Sequence, residues 1–159
     1  MLVGEQAGDR EDLQGKPFVG PAGRLLDDAL AEIGIERDAL YVTNVVKHFK
    51  FEMRGKRRLH KRANAAEVNA CVTEWLDREL AVIAPRYVVC LGALAARVML
   101  GAAFRLQRQR GVWLRIAGDR WCLATVHPSF VLRSRIGGEY DAAYRAFLSD
   151  LGALTQLPR

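Results

Sequence analysis

Four short apolar runs, each succeeded further along the chain by a segment whose apolar residues recur at helical spacing, limit what this sequence can fold into. "MLVGE" reads as a buried strand running straight into a polar turn. Leu25, Leu26, Ala29, Leu30 and Ile33 recur at helical spacing after Pro21, a good first-turn residue, and Gly34 stops the run, which predicts a helix over 22–33. "LYVTNVV" is a second strand, after which Val68, Cys71, Val72, Trp75, Leu76, Leu80 and Ile83 carry a long amphipathic helix up to Pro85. "YVVCLG" is apolar throughout, the composition of a strand buried on both faces. A short helix at 93–100 ends at Gly101, "VWLRI" and "WCLATV" read as two strands around a turn at Gly118 and Asp119, and a helix over 139–153 comes last. Strands alternating with helices imply an α/β fold of three layers, a central, mostly parallel sheet flanked by helices. Half of the 159 residues are hydrophobic, enough for one core and too few for two, so residues 1–159 read as a single domain.

Ligands of such sheets sit outside the carboxyl ends of the strands. That rule selects "GEQAGDRED" after the first strand, "NVVKH" after the second and "HPSF" after the last, and the three histidines, His48, His60 and His127, all fall in or beside these loops. Charge singles out the same region. Between Lys47 and Arg62, "KHFKFEMRGKRRLHKR" holds eight Lys or Arg and one acid, so with a chain total of +6 the remaining residues carry a net −1. Positive charge gathered in one loop is the footprint of a polyanion, most often nucleic acid.

No stretch approaches the roughly 18 to 20 apolar residues of a membrane span, and no signal peptide precedes the fold, so the reading is a soluble, cytoplasmic monomer with no membrane partner. A fold rarely opens on its first core strand without a lead-in, and the start at "MLVGE" reads as an N-terminal truncation. The three cysteines, Cys71, Cys90 and Cys122, are odd in number and widely spaced, which argues against a disulfide framework. Cys90 and Cys122 lie in strands and belong to the core.

Several residues carry two readings each. "GEQAGDREDLQGKPFVGPAGRLL" sets Glu5 directly after a strand and Phe18 just before a helix start, with glycines that let backbone approach a ligand; it is equally a long surface loop, and it matches neither phosphate-binding glycine pattern. Asn44 either forms a turn or reads a base edge that presents both an acceptor and a donor. His127, held by Pro128, can donate to a carbonyl oxygen. His60, at the end of "GKRRLH", is either one more phosphate-binding group or the residue that does chemistry.

Taken together, "GEQAGDREDLQGKPFVGPAGRLLD", "YVTNVVKHFKF", "GKRRLHK", "VVCLGALAA" and "TVHPSFVLR" resemble the uracil-DNA glycosylase superfamily over nearly the whole chain, most closely its UdgX class, relatives of the iron–sulfur (family 4) enzymes. The resemblance implies an enzyme that excises uracil from DNA, with uracil-containing single-stranded DNA as its expected partner. It implies that Phe18 stacks on the flipped base, that Asn44 reads its O4 and N3 edge, and that His127 donates to O2 where negative charge builds. The backbone around Gln6 would add a donor, and Glu5 would sit near the cationic sugar. In the UdgX class the histidine of the basic loop attacks C1′ in place of water and stays joined to it; His60 occupies that position, with Leu59 where the class usually has isoleucine. Lys56, Arg57, Arg58 and Lys61 would hold the DNA backbone, with Leu132 and Arg133 gripping or entering the strand. Two other functions stand beside this one: ordinary turnover with water as nucleophile, and a DNA-binding module without catalysis.

The family's [4Fe–4S] cluster uses an upstream Cys-x-x-Cys, a residue after "TNVVK" and a cysteine on the following helix. Here the last two are His48 and Cys71, and the upstream pair is absent, which leaves two of four ligands. Without the cluster the segment 45–63 would be less ordered.

Overall fold

The computed structural model describes residues 1–159. Its elements in chain order begin with β1 (Leu2–Gln6), α1 (Asp9–Gln14), α2 (Pro21–Glu32) and β2 (Val42–Val46). A hairpin of β3 (Phe51–Arg54) and β4 (Arg57–His60) follows, then α3 (Ala65–Cys71), which passes through a π-turn at Val72–Leu76 into α4 (Asp77–Ile83). The chain continues with β5 (Tyr87–Leu91), α5 (Ala93–Leu100), α6 (Leu106–Gln109), β6 (Leu114–Ile116), β7 (Arg120–Thr125), α7 (Pro128–Arg133) and α8 (Tyr140–Gly152). None of the helices is long and apolar enough to cross a membrane.

Five strands form one sheet in the order β2-β1-β5-β7-β6. Neighbours are parallel except β6, which returns antiparallel to β7 through a turn whose Gly118 and Asp119 both have positive φ, the geometry of a tight hairpin. Side chains alternate across the sheet. Val3, Val88, Cys90 and Cys122 face a core closed by α3, the π-turn, α4 and α5. Leu2, Val89, Leu91 and Leu123 face a second core closed by α2 and α8, where Leu26, Leu30, Phe147 and Leu151 are almost fully buried. Burial on both faces is why "YVVCLG" is continuously apolar.

The expected three-layer α/β architecture is present, and three local expectations need correction. The basic segment is a two-stranded hairpin with register Phe51↔His60 and Arg54↔Arg57, not an irregular loop. It escapes a periodicity search because all four residues of β3 are exposed: no core selects its side chains. The stretch after β1 contains α1, whose first turn carries Asp9, Glu11 and Asp12, as a helix N-terminus favours. "HPSF" opens α7, with His127 as N-cap and Pro128 at the first helical position.

Candidate active site

Three strands deliver the candidate residues to the carboxyl edge of the sheet. Glu5 and Gln6 end β1, Asn44 lies on β2, and His127 follows β7. The register pairs Gly4 with Asn44. A Cβ on Gly4 would stand 2.2 Å from Asn44 Oδ1 and 2.6 Å from the tip of the Phe18 ring, so only glycine lets the amide and the aromatic ring share this corner. Phe18 itself is 5% exposed and holds φ at 55°, a left-handed conformation that costs a bulky residue about 1–3 kcal/mol and is found where surrounding structure imposes it. The first turn of α2 packs directly against it: a Cβ on Gly23 would meet the Phe18 carbonyl oxygen at 1.8 Å. The Phe18 ring stacks on His127 with centroids 5.7 Å apart.

A cavity of about 250 Å³ opens between these groups, lined among others by Gln6, Phe18, Asn44, His60 and His127. Beside it lies a polar cleft of about 310 Å³ lined by Glu5, Gln6, His60, Arg62, His127, Ser129 and Arg133. His60 belongs to both. Asn44 Oδ1 is buried with no hydrogen-bond partner, an arrangement that costs about 1–3 kcal/mol unless a ligand donates to it.

His127 has its protonation state set by its surroundings. Its Nδ1 accepts the Ser129 backbone N–H at 3.2 Å, with Ser129 Oγ at 2.8 Å, so the ring proton of the neutral form sits on Nε2 and is free to be donated. Burial, helped by Arg133 and His60, pushes its pKa from 6.5 down to about 4. The ring is therefore neutral at pH 7. Unfolded chain takes up a proton that folded chain refuses, so stability is expected to fall as pH drops from about 6.5 to about 4, by at most about 3 kcal/mol. Denaturant unfolding across that window checks it: His127→Gln should lose this part of the slope.

The hairpin that carries His60 is docked rather than free. Gln6 clasps it from β1, its Nε2 donating to Lys61 O at 3.3 Å and its Oε1 accepting from Ala63 N at 3.3 Å. Arg58 likewise points inward. Its guanidinium pairs with Asp9 and with Asp12 at 3.0 Å, and lies over Phe49 and Phe51 at 5.3 and 4.9 Å. Arg58 is thus a strut between the hairpin and α1. Lys47 and Lys50 are also taken up, by Glu79 and Glu67. What remains for a polyanion is a smaller set: Lys56 and Arg57 at the hairpin turn, Arg54, Arg62, and Lys61, whose contact with Glu52 is a loose 3.7 Å. Arg133 reaches the cleft with Nη1 donating to Ser129 Oγ at 3.1 Å, while Leu132 is packed against the α2–α8 core.

Glu11 went unnoticed in the sequence. It lines the cavity and accepts the Gly20 backbone N–H at 2.8 Å, bracing the turn that presents Phe18. Its place in the acidic first turn of α1 was the available signal.

His48 Nδ1 lies 3.9 Å from Cys71 Sγ, so the two side chains expected at an iron–sulfur cluster do meet. No third His, Cys, Asp or Glu joins them, whereas such a cluster takes four ligands. The residues of this chain fit half of a cluster site. Cys90 and Cys122 are fully buried free thiols in the sheet.

Fold and cavity together define an α/β protein with a cavity at the carboxyl edge of its sheet, lined by Phe18, Asn44, His60 and His127. A profile of the uracil DNA glycosylase superfamily matches residues 1–152, and the chain belongs to that superfamily. It is similar to the type-4 uracil-DNA glycosylase of Archaeoglobus fulgidus, 35% identical over 156 residues that cover 91% of this chain and 73% of the relative. The type-4 enzymes of Pyrobaculum aerophilum (34% identical, covering 89% of this chain and 72% of the relative) and Thermotoga maritima (35%, covering 85% and 67%) are similarly related.

Proposed function

We propose that this protein excises uracil from DNA and ends joined to C1′ of the deoxyribose through His60. The observation that carries the covalent reading is the position of that ring, in the wall shared by the cavity of Phe18 and Asn44 and the cleft of Glu5. A base in the cavity stacks on Phe18. Its N3–H donates to Asn44 Oδ1 and its O4 accepts from the amide N–H, an edge that cytosine presents with the polarity reversed. His127 Nε2–H faces O2.

As the C1′–N1 bond breaks, its electron pair withdraws onto uracil, where His127 and Asn44 stabilise the charge. Glu5 steadies the positive charge on the sugar. The imidazole lone pair of His60 forms the new N–C1′ bond; the alkylated ring gives off its N–H proton and uracil takes one up, so the sum is one bond exchanged for another. The product imidazole is a poor leaving group, and each molecule reacts once. Lys56, Arg57, Lys61 and Arg133 hold the strand. We also propose that the protein acts as a monomer on single-stranded DNA, where no partner base has to be unpaired.

Incubation with single-stranded DNA containing uracil, followed by a denaturing gel, tests this. A slow band is the expected outcome; free abasic DNA without the band would mean that water is the nucleophile, and unchanged DNA would leave only a binding module. Freeing the hairpin should change the partition. Arg58→Met is expected to lower adduct relative to free abasic product by about tenfold to a hundredfold, because a nucleophile displaced by an ångström loses that much rate.

A further inference from the structure

Glu79 stands on α4, outside the cavity and cleft that His60 shares. Its carboxylate accepts from Lys47 Nζ at 2.6 Å and from Thr43 Oγ1 at 3.1 Å. Lys47 turns back along β2, and the same ammonium donates to the Asn44 carbonyl oxygen and to Thr43 Oγ1, both at 2.7 Å. All three of its donors are therefore used, two of them on the strand that carries the pocket amide. The pair is largely covered, with side chains 21% and 20% exposed, and Thr43 is 6% exposed.

We infer that Glu79 is a positioning residue for the base-reading amide of Asn44, acting through Lys47; this rests on the uracil reading above. The ammonium grips the backbone of Asn44 from behind while the side chain faces the cavity. Without the carboxylate, a half-buried ammonium has no counter-charge and turns to water, releasing the Asn44 carbonyl. The end of β2 then keeps its ladder with β1 and the core packing of Val45 and Val46, but loses the polar hold on the Asn44 backbone. An amide that must meet N3–H and O4 together loses both contacts when its backbone shifts, whereas phosphate contacts from the hairpin do not change.

The readout is the single-turnover rate of uracil release from single-stranded DNA in Glu79→Gln, Asn44→Ala and the double variant. Glu79→Gln is expected to be about tenfold slower than wild type, with unaltered affinity for undamaged DNA, and to slow Asn44→Ala no further. Lys47→Met should give the same coupling and replaces Glu79→Gln if that variant does not fold. Wild-type rate in these variants, or a loss that adds in full to that of Asn44→Ala, overturns the inference while uracil release by the parent stands. A parent that releases no uracil overturns the substrate reading and this inference with it.

Discussion

His60→Ala is expected to abolish the denaturant-resistant protein–DNA species while leaving uracil release measurable. His60 and His127 both line the base cavity and the cleft beside Glu5, but the Nδ1 lone pair of His127 is taken by the Ser129 N–H, so removing the His60 imidazole takes away the group that bonds to C1′. Phe18, Asn44, His127 and Glu5 keep their places, because β1, β2, the turn before α2 and the turn after β7 hold them independently of the hairpin. Water then fills the position of the ring and free abasic DNA accumulates. Release should slow by about a hundredfold or more, since a tethered nucleophile is replaced by one that must be captured and oriented. A gel time course of wild type and variant on the same oligonucleotide reads both quantities.

Asn44→Ala is expected to lower the rate of uracil release by about 10²- to 10³-fold, the size of effect found when one pre-aimed donor or acceptor is taken from a charge-stabilising site. Stability should move the other way or stay level. Asn44 Oδ1 is buried without a partner in the folded protein, so deleting it relieves a cost on the order of 1 kcal/mol. A thermal melt beside the rate assay separates the two. Activity lost at unchanged or raised melting temperature fits an amide kept unsatisfied for a ligand; activity and melting temperature lost together would mean that Asn44 serves the core.

The division between what the sequence made legible and what it hid follows the core. β1, β2, β5, β7, α2 and α8 bury an apolar face, and their periods could be read directly: the helix expected over 22–33 is Pro21–Glu32, and the one expected over 139–153 is Tyr140–Gly152. The long helix up to Pro85 was legible too, but its π-turn at Val72–Leu76 was not: Trp75 fits the apolar period of a regular helix, yet it is exposed in the structure. The hairpin was missed for a similar reason. Its stability comes from Arg58 lying over Phe49 and Phe51 and from its pairs with Asp12 and Asp9, 46 and 49 residues away, which composition reads only as positive charge. Glu79 escaped because its partner lies 32 residues earlier and on another layer of the fold. The resemblance to a known family pointed to Glu5, Phe18, Asn44, His60 and His127; the cavity and cleft bring those five side chains to one edge of the sheet.

The account turns on a single bond between an imidazole nitrogen and an anomeric carbon. Peptide mass spectrometry after reaction with uracil-containing single-stranded DNA and nuclease digestion measures it directly. The expected result is a deoxyribose remnant on the peptide containing His60, with free uracil released in equal amount. A remnant on another residue, or stoichiometric uracil with every peptide unmodified, would contradict it.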